Sequence, residues 1–208
     1  MAVPVCFSHI FQVRALAGAR GERWLFEALD IDLEPGETLV VTGPNGTGKT
    51  TLLRILAGLL PAEEGSVSWR PEPAEDQVRL HYLGHQNSVK GALTAAENLS
   101  FWQGLTGARD GDAFARAVRA FALEDLLDLP ARVLSAGQTR RLALARLVAI
   151  PAPLWLLDEP TAALDAVSSE AFASAVAEHR AAGGMAIIAT HQDLGFQPTY
   201  RLRMGGDT

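Results

Sequence analysis

Apolar and polar positions along this chain fall into two periods that take turns. Residues 25–33 alternate roughly apolar and polar and run into Pro35-Gly36, a turn signal, which predicts a strand. Leu39-Val40-Val41 is a short apolar run leading into Gly43, so a strand passes into a loop. Residues 51–59 have helical spacing, with Pro61 as the predicted stop. Residues 65–69 alternate again as a strand, and 71–76 read as a polar, proline-containing loop. From 93 to 129 the pattern turns helical and rich in Ala, Leu and Phe, broken at 104–111. A helix is predicted from Ala136 to about Ala149, a buried strand over 154–157, a helix over 166–181 ended by Gly183-Gly184, and a core strand over 185–190. Strands alternating with helices imply an α/β fold with a mostly parallel sheet covered on both faces, and the stretch at about 89–149 reads as a helical subdomain inserted into a single domain spanning 1–208.

Composition narrows the class. The 208 residues can bury one sizeable core, and 48% hydrophobic with 20% charged residues is the balance of an ordinary globular chain. A formal net charge of -6 argues against nonspecific binding to nucleic acid or anionic lipid. The start of the chain has neither a basic region nor a long apolar run, so no signal peptide is expected. The most apolar stretch, 147–157, is too short to span a bilayer and carries Pro151 and Pro153. Cys6 is the single cysteine and has no partner for an internal disulfide, which fits a reducing compartment.

Between the strand at 39–41 and the helix after it lies Gly43-Pro44-Asn45-Gly46-Thr47-Gly48-Lys49-Thr50, a complete G-x-x-x-x-G-K-[ST] loop. Such a loop binds a nucleoside triphosphate because its backbone N–H groups point at phosphate oxygens and its glycines let the backbone approach. Lys49 is expected on the β/γ-phosphates, the Thr50 hydroxyl on Mg²⁺, and Thr51 continues the contact into the helix. A chance match in a chain of average composition arises on the order of one time in a hundred. Lys49 and Lys90 are the only lysines, which makes chance poorer still.

Asp158 closes the apolar strand and Glu159 follows it. Ligands gather at the carboxyl ends of parallel strands, so Asp158 is expected to hold Mg²⁺ and Glu159 to orient and deprotonate the attacking water. Alone, the pair would read as a solvated acidic step. Ser135-Ala136-Gly137-Gln138 carries two compatible readings: a capping box opening the next helix, and an anion site at a helix N-terminus. The loop at 43–50 already supplies a phosphate cradle, so a second one suggests service to the nucleotide of another subunit. Gln86 could touch Mg²⁺ or the attacking water, and His191 could reach the γ-phosphate; alone, either residue would more often be surface or structural. Asp165 is expected to cap the following helix.

The ordered set resembles the nucleotide-binding subunit of ABC transporters over nearly the whole chain. Gly43–Thr50 looks like Walker A, Gln86 the Q-loop, 134–138 the LSGGQ signature with Ala136 for its first glycine, 154–159 Walker B, 162–165 the D-loop and His191 the switch histidine. The resemblance implies a RecA-like P-loop core, an N-terminal antiparallel β subdomain and the inserted helical subdomain. It also implies catalysis by Glu159 with His191 and Gln86, and an ATP-dependent head-to-tail homodimer. Within that family, 82–86 with Val89-Lys90, 93–99 and 134–141 are similar to the ATPase subunits of haem exporters in cytochrome c maturation. That likeness implies a site at the cytoplasmic face of the bacterial inner membrane, partnership with CcmB and CcmC, and ATP-driven release of haem-loaded CcmE. An exporter for a peptide, lipid or drug is the alternative. Soluble ABC ATPases of translation or DNA repair usually carry tandem domains or long coiled coils, which this chain lacks. Two departures stand out. The family's adenine-stacking aromatic falls near Arg20, leaving Trp24 or Phe26 as substitutes. The chain has no C-x-x-C-H, and His9, His81, His85, His179 and His191 show no paired ligand spacing.

Overall fold

Two sheets organise the chain in the computed structural model, which describes residues 6–75, 77–107 and 110–205. The first is antiparallel. Strands β1 (Ile10–Arg20) and β2 (Arg23–Leu33) form a hairpin about Gly21, and after strand β3 (Thr38–Thr42) the strand β4 (Glu64–Arg70) returns to pair with β1. The second sheet is parallel, in the order β5-β6-β7-β3-β8, with β5 at Leu80–Leu83, β6 at Leu154–Asp158, β7 at Met185–Ala189 and β8 at Tyr200–Arg203.

The parallel strands are apolar on both faces because both are covered. Val40, Trp155, Leu157, Ala186 and Ile188 face one core, shared with the helices α2 (Ala95–Thr106), α3 (Gly111–Ala120), α4 (Ala136–Ala149) and α5 (Ala166–Ala181). Leu39, Val41, Leu154, Leu156, Met185 and Ile187 face the other, shared with α1 (Lys49–Leu56) and the antiparallel sheet. The alternation within β3, β6 and β7 is the period-2 geometry of a strand. Burying them on both sides aligns their carboxyl ends at one edge, where the loop after β3 and the carboxylates after β6 meet.

Two boundaries differ from those predicted. Helix α1 ends at Leu56, before Pro61 is reached. Gly58 adopts a left-handed φ of 70°, Leu59 N–H donates to Arg54 O at 2.8 Å and Gly58 N–H to Ile55 O at 2.9 Å, which closes a Schellman turn. Helix α2 runs straight through Gly104, and the break begins at Gly107, also left-handed at φ 70°. Residues 108–109 of the predicted break, Asp76 of the predicted loop and residues 1–5 of the N-terminus lie outside the described residues. Strands β1 and β8 have no counterpart in the sequence pattern. Shifts in the β1–β2 register at three places, with Ala15 at φ 46°, scramble the alternation that would have revealed β1.

Two buried histidines flank Trp155 in the core. His179 of α5 stacks on its ring at 3.9 Å between centroids and donates from Nε2 to Met185 O at 3.1 Å. This packing needs Gly184, since a Cβ there would fall inside the imidazole. His81, opposite Trp155 in the β5–β6 ladder, places Nε2 2.8 Å from Ile150 O. Burial lowers both imidazoles to about 4, with Arg146 adding to the effect at His81. In the unfolded chain both take up a proton below about pH 6.5. Stability is therefore undiminished above that pH and falls as the pH drops toward 4, by up to about 3 kcal/mol for each ring. The urea midpoint should fall measurably between pH 7.5 and pH 5; an unchanged midpoint would mean the rings are not held neutral.

Candidate active site

The loop 43–50 leaves β3 and enters α1 through two glycines that no other residue could replace without displacing neighbours. Gly43 has φ 141° and a Cβ there would collide with Met204 O; Gly48, the N-cap of α1, has φ 100° and packs on the Leu25 side chain. Lys49 is 7% exposed and its Nζ donates to Gly43 O at 2.6 Å and Pro44 O at 3.0 Å, so the ammonium is held over the mouth of the loop by backbone oxygens. Thr47 Oγ1 donates to Pro44 O at 3.0 Å and braces the same turn.

Thr50 and Asp158 are 108 residues apart in sequence, yet Thr50 Oγ1 donates to Asp158 Oδ2 at 2.7 Å. The two expected oxygen ligands of the cation are thus side by side. Next to them Glu159 has a left-handed backbone, φ 47°, and its carboxylate is held at both oxygens: Thr190 Oγ1 donates to Oε2 at 2.8 Å, and His191 Nδ1 lies 2.9 Å from Oε1. A non-glycine residue at positive φ is strained by about 1–3 kcal/mol and persists only where surroundings over-determine it. Glu159 and His191, predicted separately, are therefore one hydrogen-bonded unit. Thr190, fully buried and one residue before His191, was not singled out by the sequence reading.

A cavity of about 290 Å³ opens over the loop, lined by Asn45, Gly46, Gly48, Lys49, Thr50, Thr51, Asp158 and Glu159 together with Arg20, Leu25 and His85. Arg20 and Leu25 bring the antiparallel sheet into this lining. Trp24 is exposed elsewhere on β2, and Phe26 packs into the core against Gly18, so neither lines the cavity. Gln86 is exposed one residue beyond His85, and it is His85 that lines the cavity.

Ser135 and Gln138 form the predicted capping box: Gln138 N–H donates to Ser135 Oγ at 3.2 Å, and Ser135 N–H donates to Gln138 Oε1 at 2.9 Å. Ser135 and Ala136 are exposed and do not line the cavity of their own chain. Gly137 sits where a Cβ would meet Ala163 O at 2.9 Å, so this helix start packs closely on the loop after Walker B. Asp165 caps α5 as predicted, accepting from Ser168 N–H at 2.7 Å, and these contacts hold its carboxyl below the usual range. Replacing Ser135 with arginine is expected to leave ATP binding intact and to reduce hydrolysis about 100-fold. The Ser135→Ala control, which removes only the cap, should lower stability by about 1 kcal/mol. Parallel nucleotide-binding and phosphate-release assays on both variants decide between obstruction and simple loss of the cap.

The family profile described as ABC transporter matches residues 26–162. The chain is 46% identical over 202 residues to the cytochrome c biogenesis ATP-binding export protein CcmA of Paramagnetospirillum magneticum, covering 93% of each. It is 49% identical over 188 residues to the CcmA of Nitrosococcus oceani, covering 86% of this chain and 85% of that one. Among solved structures, an ABC transporter ATP-binding protein from Pyrococcus furiosus superposes with a TM-score of 0.80 at 23% identity, over 94% of this chain and 97% of that one. Phosphate loop, paired carboxylates and the two-sheet architecture define the class, and the chain belongs to the ABC transporter family as an ATP-binding, ATP-hydrolysing subunit. Within that family it is similar to the CcmA proteins along nearly its whole length.

Proposed function

We propose that the chain is the ATPase of a membrane complex in cytochrome c maturation, with the integral membrane subunits CcmB and CcmC as partners and release of haem-loaded CcmE as its output. The observation that carries this reading is the 46% identity to a CcmA protein across 93% of both chains. Among the described residues no helix is long and apolar enough to cross a membrane, so membrane contact would run through partners at the cytoplasmic face of the inner membrane.

The site's own residues supply the steps. Lys49 exchanges the carbonyls of Gly43 and Pro44 for β/γ-phosphate oxygens when ATP enters, and Gly46, Gly48, Thr50 and Thr51 donate backbone N–H groups around them. Thr50 and Asp158 offer the hard oxygens that suit Mg²⁺, with nucleotide and water completing the set. Magnesium, when bound with the nucleotide, neutralises charge developing on the phosphate oxygens. Glu159 orients the attacking water and takes its proton, while Thr190 and His191 fix the carboxylate's direction. Gln86, beside His85 at the cavity rim, reports the γ-phosphate to the partner subunits. The exposed Ser135–Gln138 helix start faces the nucleotide of a second copy in a head-to-tail homodimer.

The test is covalent haem in periplasmic c-type cytochromes, in cells lacking this gene and complemented with wild type or Lys49→Ala. Haem lost and restored only by wild type supports the reading. Normal cytochromes in the deletion would discard it in favour of an exporter for another substrate.

A further inference from the structure

Arg140 stands on α4 five residues after Ser135, yet none of its contacts is to the signature itself. It is 3% exposed, and all five of its N–H donors are engaged. Nη2 donates to Asp158 O at 2.9 Å and to Glu159 O at 2.7 Å, and Nε donates to Pro160 O at 2.9 Å. Nη1 donates to Gly84 O at 3.1 Å and to Asn87 Oδ1 at 2.8 Å. One planar fork therefore grips three successive carbonyls across the left-handed bend at Glu159 and, with its other edge, both sides of the segment that carries His85 and Gln86. Every acceptor is a neutral oxygen. A buried cation without a carboxylate partner is costly to keep for stability alone, because an apolar side chain of similar volume serves packing as well.

We infer that Arg140 is a positioning residue for hydrolysis, holding Glu159 in its strained bend and coupling it to the 84–87 loop and to the signature helix. This rests on the reading of Glu159 as the base. The bend aims the Glu159 carboxylate at Thr190 and His191, and without a grip on carbonyls 158–160 the backbone would relax toward negative φ and carry the carboxylate away. The guanidinium also keeps a positive charge behind that carboxylate. Because the same group holds Gly84 and Asn87, movement of the 84–87 loop is transmitted to Glu159 through a single rigid side chain.

The test is steady-state ATP hydrolysis by the full chain carrying Arg140→Met, Arg140→Lys, Asn87→Ala or Glu159→Gln, with kcat and KM determined separately. Arg140→Met should lower kcat about 100-fold with KM for ATP within a few-fold of wild type, the size expected from misplacing a reacting group by about 1 Å. Arg140→Lys keeps the charge but not the fork, so kcat should stay low with KM near wild type. Asn87→Ala removes one of the two contacts to the loop, leaving that to Gly84 O, and should lower kcat about 10-fold without changing KM or Tm. It carries the test if Arg140→Met fails to fold. Wild-type kcat in Arg140→Met or in Asn87→Ala overturns the inference, as does a loss confined to KM. Wild-type turnover in Glu159→Gln would instead remove the assignment of the base.

Discussion

Alanine in place of Lys49 should abolish ATP hydrolysis and weaken ATP binding by at least about 100-fold, the scale of a lost charge-stabilising group in a preorganised phosphate site. The argument is local. Lys49 is buried, its Nζ is fixed by Gly43 O and Pro44 O, and it is the only lysine among the residues lining the cavity. Removing it leaves the loop backbone with two carbonyl oxygens facing the incoming triphosphate and no cation between them. Fold should survive, because Gly43, Gly48 and the Thr47 brace set the loop's shape without the ammonium. The check is paired: a fluorescent ATP analogue for binding and phosphate release for turnover. ATP should no longer raise Tm in this variant, since only a ligand bound to the folded chain stabilises it. Retained turnover would mean that the site is elsewhere.

Glutamine in place of Glu159 should do the opposite to binding. The amide is isosteric and its oxygen can still accept from Thr190 Oγ1, so the cavity keeps its shape. An amide cannot take a proton from water, and turnover should fall by about 100- to 1,000-fold. Because ATP then enters and is not cleaved, two copies should remain closed around it. Gel filtration with excess ATP and Mg²⁺ should show a dimer for Glu159→Gln and a monomer for Lys49→Ala. Only monomer for Glu159→Gln would count against the sandwich.

Most of the architecture was legible in the residue pattern because the core strands are short, apolar and bounded by glycine or proline. The predicted helices at 136–149 and 166–181 match α4 and α5. Strand β1 was not legible, since its register shifts against β2 destroy the alternation on which a strand is recognised. The end of α1 was misread because proline is the louder signal, whereas the Schellman turn at Gly58 does the stopping. In the site, the loop and the carboxylates announced themselves by spacing. The supporting residues did not: Thr190 and Arg140 act through partners distant in sequence, and His85 joins the cavity only through the fold. Arg140 left one trace, a charge just ahead of the apolar run at 142–145 in a buried helix. The departure from the family's stacking aromatic was half legible. The departure at Arg20 was visible, but only the fold shows that Leu25, and neither Trp24 nor Phe26, shares the cavity with it.

The central claim is a composite ATPase site, with Lys49 from one copy and Ser135 from the other. Mixing two inactive variants tests it most directly. Lys49→Ala has a dead loop and an intact signature; Ser135→Arg has the reverse. A mixed head-to-tail dimer holds one competent site, so random pairing should restore about a quarter of the wild-type ATPase rate. A mixture no more active than the two variants measured alone would contradict the account.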